Sequence, residues 1–363
     1  MMPVEPNNTS NEGLNLSFCF SINKDRLKTN DTIAARYFPV VFSVLGLISN
    51  LFAFVVLVKT FQQTHSRSRS SFLLFLCGLV VTDFMGLLVT GVIVVPFRFT
   101  EYKWTDLDPH CHLCNFMGMS MVFYGLCPLL LGATMAMERF VGITQPFARS
   151  TKMSKGRAYT MVLSVWVTAW CISLLPLIGL GSYHLQIPGS WCFLNISSKP
   201  LDMVFCLVFS GVGLLCLAVS FILNTVSVVT LLRICCGQDS TQRRRDYEVE
   251  MMVQLILIMV IASVCWYPLL VFIAQTVLSA SKLDLLKLLL YIRFATWNQI
   301  LDPWVYILFR CSVLKRIYPR AALSRGFTSL RRLTQSSIGR PSSLSQQVSE
   351  EPKREEALMS PAN

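Results

Sequence analysis

Seven stretches of the chain are apolar over roughly the 20 residues that a helix needs to cross a hydrocarbon core. They run over 37–58, 72–97, 112–141, 158–180, 203–232, 249–278 and 285–309. This pattern predicts an all-α membrane protein, a seven-transmembrane helix bundle at 37–309. An odd number of spans puts the two termini on opposite sides, with an outer segment at 1–36. After the last span, Val313, Leu314, Ile317 and Ala321 are interleaved with Lys315, Arg316 and Arg320. That spacing over 310–323 suits a short amphipathic cytoplasmic helix on an anionic membrane surface, with a solvated basic linker as the alternative. The remainder, 324–363, is rich in Ser, Arg, Gln and Glu and too poor in apolar residues to order itself.

Composition agrees: 53% of residues are hydrophobic and 14% charged, against about 25% charged in soluble domains. The net charge of +12 invites a nucleic-acid reading, so its placement decides. Given the spans, 22 of the 32 Lys and Arg fall in the odd-numbered connections, their membrane edges and the tail, nine on the opposite side and one, Arg293, inside a span. That asymmetry is the positive-inside rule. It puts the amino terminus outside, without the features of a cleaved signal peptide, and the carboxyl terminus in the cytoplasm. The acceptors for N-glycosylation, Asn7, Asn8, Asn15, Asn30 and Asn195, all then face outward. So do Cys19, Cys111, Cys114 and Cys192, an even set able to pair in an oxidising compartment.

A charge at mid-membrane costs about 2.5–3.5 kcal/mol on insertion scales and needs a reason to be there. Asp83, Glu138-Arg139, Arg293 and Asp302 are such charges. Intramembrane charges also mark transport paths, yet no internal repeat of a transporter is evident. The four His form no metal-ligand pattern within a span, and the chain has neither a Gly-rich phosphate loop nor a Ser elbow. No catalytic residue, metal site or cofactor is expected.

Asn50, Asp83, Glu138-Arg139-Phe140, Trp166, Cys265-Trp266-Tyr267-Pro268 and Asp302-Pro303-Trp304-Val305-Tyr306 occur in order across the spans. In this they resemble class A G-protein-coupled receptors. Within that class, Gln186 to Phe193 (Gln-Ile-Pro-Gly-Ser-Trp-Cys-Phe), Tyr291 to Asn298 around Arg293, and the lack of proline inside the fifth span resemble prostanoid receptors. The resemblance implies a disulfide between Cys114 and Cys192. It implies a second between Cys19 and Cys111, where a free thiol is the alternative. It also implies a lipid ligand with one carboxylate, which Arg293 suits as an always-charged planar fork.

By the same resemblance Ser190 and Trp191 form a lid over the ligand, favouring access from the bilayer. Phe193, Met121, Leu289 and Trp266 are expected as apolar walls, although each also fits ordinary helix packing. Trp297, one turn beyond Arg293, is expected to present an apolar face to the ligand. Arg98 either adds a second positive charge or reaches for water. For signalling, Arg139 beside Glu138 is the expected G-protein contact, paired at rest with Glu248 and released when span six swings about Pro268. Asp83 and Asp302, near Pro303 and Tyr306, are expected to approach one another, sharing a proton or a cation. Implied partners are heterotrimeric G proteins, of the Gq and G12/13 families for the member resembled most closely, with arrestin and receptor kinases. Ser324, Ser329 and Thr334 are candidate phosphorylation sites.

Overall fold

The computed structural model describes residues 19, 37–63, 67–100, 104–144, 154–237 and 242–308. Within them run seven long helices, here α1 Phe38–Gln62, α2 Arg67–Thr100, α3 His112–Thr144, α4 Lys155–Leu174, α5 Pro200–Gly237, α6 Gln242–Leu278 and α7 Leu285–Leu308. Without water to accept backbone hydrogen bonds, a helix satisfies its polar groups internally, which is why each span takes this form. Several helices outrun the predicted spans at their ends, because backbone hydrogen bonding continues past the edge of the hydrocarbon. α4 instead stops short and passes into a 3-10 turn, Leu175–Ile178, where Pro176 removes a helix donor. The sequons at Asn7, Asn8, Asn15 and Asn30, residues 310–323, the tail sites Ser324, Ser329 and Thr334, and the side chains of Arg98 and Glu248 lie outside the described residues.

Hydrophobicity alone does not choose which face of a helix turns inward here, since lipid is as apolar as a core. Small and polar residues choose it. On α1 the buried positions are Phe42, Gly46, Ser49, Asn50, Ala53, Leu57 and Thr60, at helical spacing, while Val44, Ile48, Leu51 and Phe52 stay exposed. A Cβ on Gly46 would press on the end of the Leu87 side chain, so glycine lets α1 approach α2 here without displacing it. Asn50 Nδ2 donates to Gly46 O and across to Gln299 O, both at 2.9 Å, joining α1 to α7. Trp166 Nε1 donates to Thr82 Oγ1 at 3.1 Å, joining α4 to α2. Hydroxyls inside the spans return their hydrogens to the turn before, as Thr82 does to Gly78 O at 2.7 Å.

Among the described residues, six helices are long and apolar enough to cross a membrane, and α7 is not one of the six. Lys287, Arg293, Asn298, Gln299 and Asp302 lower its hydropathy. Its membrane position comes from packing, against α1, α2 and α6, with Asn298 and Asp302 buried in the bundle.

The α4–α5 connection forms an antiparallel hairpin of β1, Tyr183–Gln186, and β2, Trp191–Leu194, in the register Tyr183↔Leu194 to Gln186↔Trp191. It lies against α3: a Cβ on Gly118 would stand 2.4 Å from Tyr183 Cδ1. Tyr183 donates its hydroxyl to Ser173 O at 2.6 Å. Burial pushes that hydroxyl's pKa up, so it remains a donor. Disulfides join Cys114 to Cys192 and Cys19 to Cys111, which answers the open question of a free thiol at the second pair. Between them Asp108 caps α3, its carboxylate accepting the Cys114 backbone N–H at 2.9 Å.

Candidate functional site

Beneath the hairpin the helices part around a cavity with about 1070 Å3 of unfilled space, its mouth included. The roof is Pro188, Ser190, Trp191 and Phe193, from the hairpin and its turn. Trp191 is held there by its Nε1–H, donated to Ile187 O at 2.9 Å, and by β2's bridge to α3. Phe193 stacks edge-on against Phe209 of α5, ring centres 5.7 Å apart. Met117, Met121 and Tyr124 of α3 and Leu289 and Ile292 of α7 form the walls, with Trp266 of α6 against Gly125.

Among the described residues, Arg293 is the one charged side chain in this lining. Its guanidinium carbon lies 4.0 Å from the centre of the Phe38 ring, a cation–π contact that holds the fork on the α1 side. Thr90 gives its hydrogen to Gly86 O at 2.7 Å and Thr296 to Ile292 O at 2.9 Å. The site therefore combines a strong bidentate donor with broad apolar walls, the chemistry of a lipid bearing one acidic group.

Of the residues named from sequence, Arg293, Ser190, Trp191, Phe193, Met121, Leu289 and Trp266 all line this one cavity. Trp297 does not. It sits 39% exposed on the outside of α7, packed edge-on against Phe42 at 4.5 Å. One turn of an α-helix advances 3.6 residues, so position 297 is rotated away from the direction of 293 by about 40°. Sequence reasoning missed Phe38 and Phe42 of α1, Leu87 and Thr90 of α2, and Tyr124 and Gln299. Each reads as an ordinary lipid-facing or helix-packing residue, and no local signal sets it apart.

Toward the other end of the bundle Arg139 is buried, 3% exposed. It pairs with its neighbour Glu138, Nη2 to Oε1 at 2.6 Å, and a second contact joins Nε to Oε2. Its Nη1 points to Met251 Sδ at 3.4 Å, and Phe72 lies beneath the guanidinium at 5.5 Å. The contact expected with Glu248 lies outside the described side chains. Midway, Asp83 and Asp302 are both buried. Asp302 Oδ2 accepts Asn298 Nδ2 at 2.9 Å. Pro268 and Pro303 lie inside α6 and α7, and Tyr306 is buried one turn beyond Pro303. No group of three or more His, Cys, Asp or Glu that could hold a metal occurs among the described residues.

A bundle of this form, with a disulfide-held hairpin roofing a cavity at one end and a buried Glu-Arg pair at the other, matches the family model of seven-transmembrane receptors of the rhodopsin family over residues 19–306. The chain belongs to that family. Squid rhodopsin has the same fold at a TM-score of 0.64, with 20% identity over 79% of this chain and 86% of that one. Closer in sequence are thromboxane A2 receptors. The bovine one is 55% identical over 83% of this chain and 91% of its own length. The human one is 52% identical over 90% and 98%. The human prostaglandin F2-alpha receptor is 40% identical over 79% and 81%. The chain is thus a multi-pass membrane receptor, not an enzyme.

Proposed function

We propose that this chain is a receptor for thromboxane A2 and its prostaglandin H2 precursor, holding the lipid's carboxylate with Arg293. The observation that carries this reading is Arg293 as the one charge that the described residues bring to an otherwise largely apolar cavity, in a chain 52–55% identical to thromboxane A2 receptors. Ser190, Trp191 and Phe193 close the outer side, so the lipid arrives through the bilayer. Met121, Leu289 and Trp266 hold its apolar body; Arg98 adds positive charge at the outer rim. The receptor lies in the plasma membrane with a glycosylated amino terminus outside. Inside, Arg139 serves a G protein of the Gq or G12/13 families, raising calcium, activating platelets and contracting smooth muscle. Arg139 pairs with Glu248 at rest, and Asp83 and Asp302 bias the bundle between its two states. Arrestin and receptor kinases act on the tail, at Ser324, Ser329 and Thr334.

The test is calcium in cells expressing the chain and dosed with a stable thromboxane mimetic, beside an Arg293→Ala variant matched for surface level. A potent parental response and a severe loss in the variant are expected. If the parent is silent but prostaglandin F2-alpha raises calcium, the second reading, a receptor for another prostanoid, takes its place. The 40% identity to prostaglandin F2-alpha receptors favours that reading next. Equal responses from parent and variant remove Arg293 from the site.

A further inference from the structure

The Cys114–Cys192 bridge fastens the middle of β2 to α3. The open end of the hairpin, where the chain enters β1 at Ser182 and leaves β2 at Asn195, is fastened by hydrogen bonds to α5. Asp202, buried in the first turn of α5, accepts from Ser182 Oγ at 2.8 Å, Asn195 Nδ2 at 3.1 Å and Ser197 Oγ at 2.6 Å. Asn195 Nδ2 donates also to Ser182 Oγ at 3.0 Å, and its backbone N–H to Ser182 O at 2.9 Å. Its carbonyl receives the Cys206 thiol at 3.7 Å, one turn further along α5. One asparagine thus touches the start of β1, the end of β2 and the helix beside them.

We infer that Asn195 is a positioning residue that clasps the open end of the lid hairpin to α5, and that its Asn-Ile-Ser motif serves this clasp instead of carrying a glycan. A sugar on the asparagine side-chain nitrogen takes the place of one of its two hydrogens, so clasp and glycan compete for the same atom. Here that nitrogen gives its hydrogens to Ser182 and Asp202, and the Ser197 hydroxyl is given to Asp202 as well. The clasp sets how firmly Trp191 and Phe193 stay over the cavity, and hence how slowly an occupant leaves. That last step rests on the proposed receptor reading; the clasp and the unmodified asparagine do not.

The experiment uses the full chain at matched surface level, as parent, Asn195→Ala, Asn195→Asp, and Asn195→Asp combined with Asp202→Asn. The combined variant exchanges amide and carboxylate and restores a donor opposite an acceptor. Losing buried hydrogen bonds at this end should speed backbone hydrogen exchange across 183–194 of the unliganded protein by about tenfold in each single variant. The exchanged pair should return toward the parental rate. Dissociation of a tritiated stable thromboxane mimetic should follow the same order. Parental exchange and release in both single variants would overturn the clasp, as would a combined variant no better than Asn195→Asp alone. A glycan found by mass spectrometry on the peptide bearing Asn195 would overturn the assignment of the motif. If the mimetic does not bind the parent, the receptor reading falls, and the exchange rates still decide the clasp.

Discussion

Arg293 shows how one side chain gives direction to a cavity. The walls reward any lipid that fits, through burial of apolar surface at about 25 cal/mol per Å2, and say little about which end goes where. In the proposed reading, a guanidinium held over Phe38 at 4.0 Å fixes the end that carries the acid. Hydrogen bonds to charged groups contribute about 1.5–3 kcal/mol. The methyl ester of a prostanoid ligand should therefore bind about ten- to a hundredfold more weakly than the acid. In Arg293→Gln acid and ester should bind nearly alike, as competition against a radioligand would show. Trp297 makes the opposite case. Outside the cavity lining and packed on Phe42, it should, when changed to Ala, lower the receptor's melting temperature while leaving saturation binding close to parental.

Between elements, glycines fix how closely helix and hairpin meet. Gly118 faces the Tyr183 ring with no room for a methyl group, and that ring cannot swing aside without releasing Ser173 O. Gly118→Ala should therefore cost about 1–3 kcal/mol, the usual range for overpacking, read as a lowered melting temperature. Gly132, where an added Cβ meets nothing within 4 Å, should accept alanine without loss. The same level of organisation separates what could be read from the chain from what could not. The helices were legible because twenty apolar residues in a row have few other uses. The hairpin was not: β2 is buried at all four positions, so it lacks the alternation that marks a strand, and it sits between two spans in what reads as loop. Arg293 and the hairpin motif were legible through resemblance and through the cost of a buried charge. Phe38, Phe42 and Gln299 were not, since nothing local marks the face of α1 or α7 that meets the cavity.

Across the whole molecule the two ends of the bundle are built differently. The hairpin end is tied by two disulfides, whereas around Arg139 the contacts among the described residues include an ion pair, a sulfur and a ring, none of them covalent. Reductant strong enough to open Cys114–Cys192 should lower affinity for the mimetic and the melting temperature together, measured on membranes before and after treatment. Glu138→Gln should raise basal signalling at matched surface level, because it weakens a contact holding Arg139 in place.

The polar character of α7 has a consequence for how the chain is made. A segment enters the bilayer from the translocation channel according to its own hydropathy, and this one carries Lys287, Arg293 and Asp302. It is also synthesised last of the seven, when α1, α2 and α6 are already in place to receive it. Its insertion would then depend on earlier helices having assembled correctly. A chain with a misfolded bundle would leave α7 stranded outside the lipid, where quality control could recognise it. Lys287, Arg293 and Asp302, which make α7 polar, would then also serve as the last checkpoint of the chain's biosynthesis.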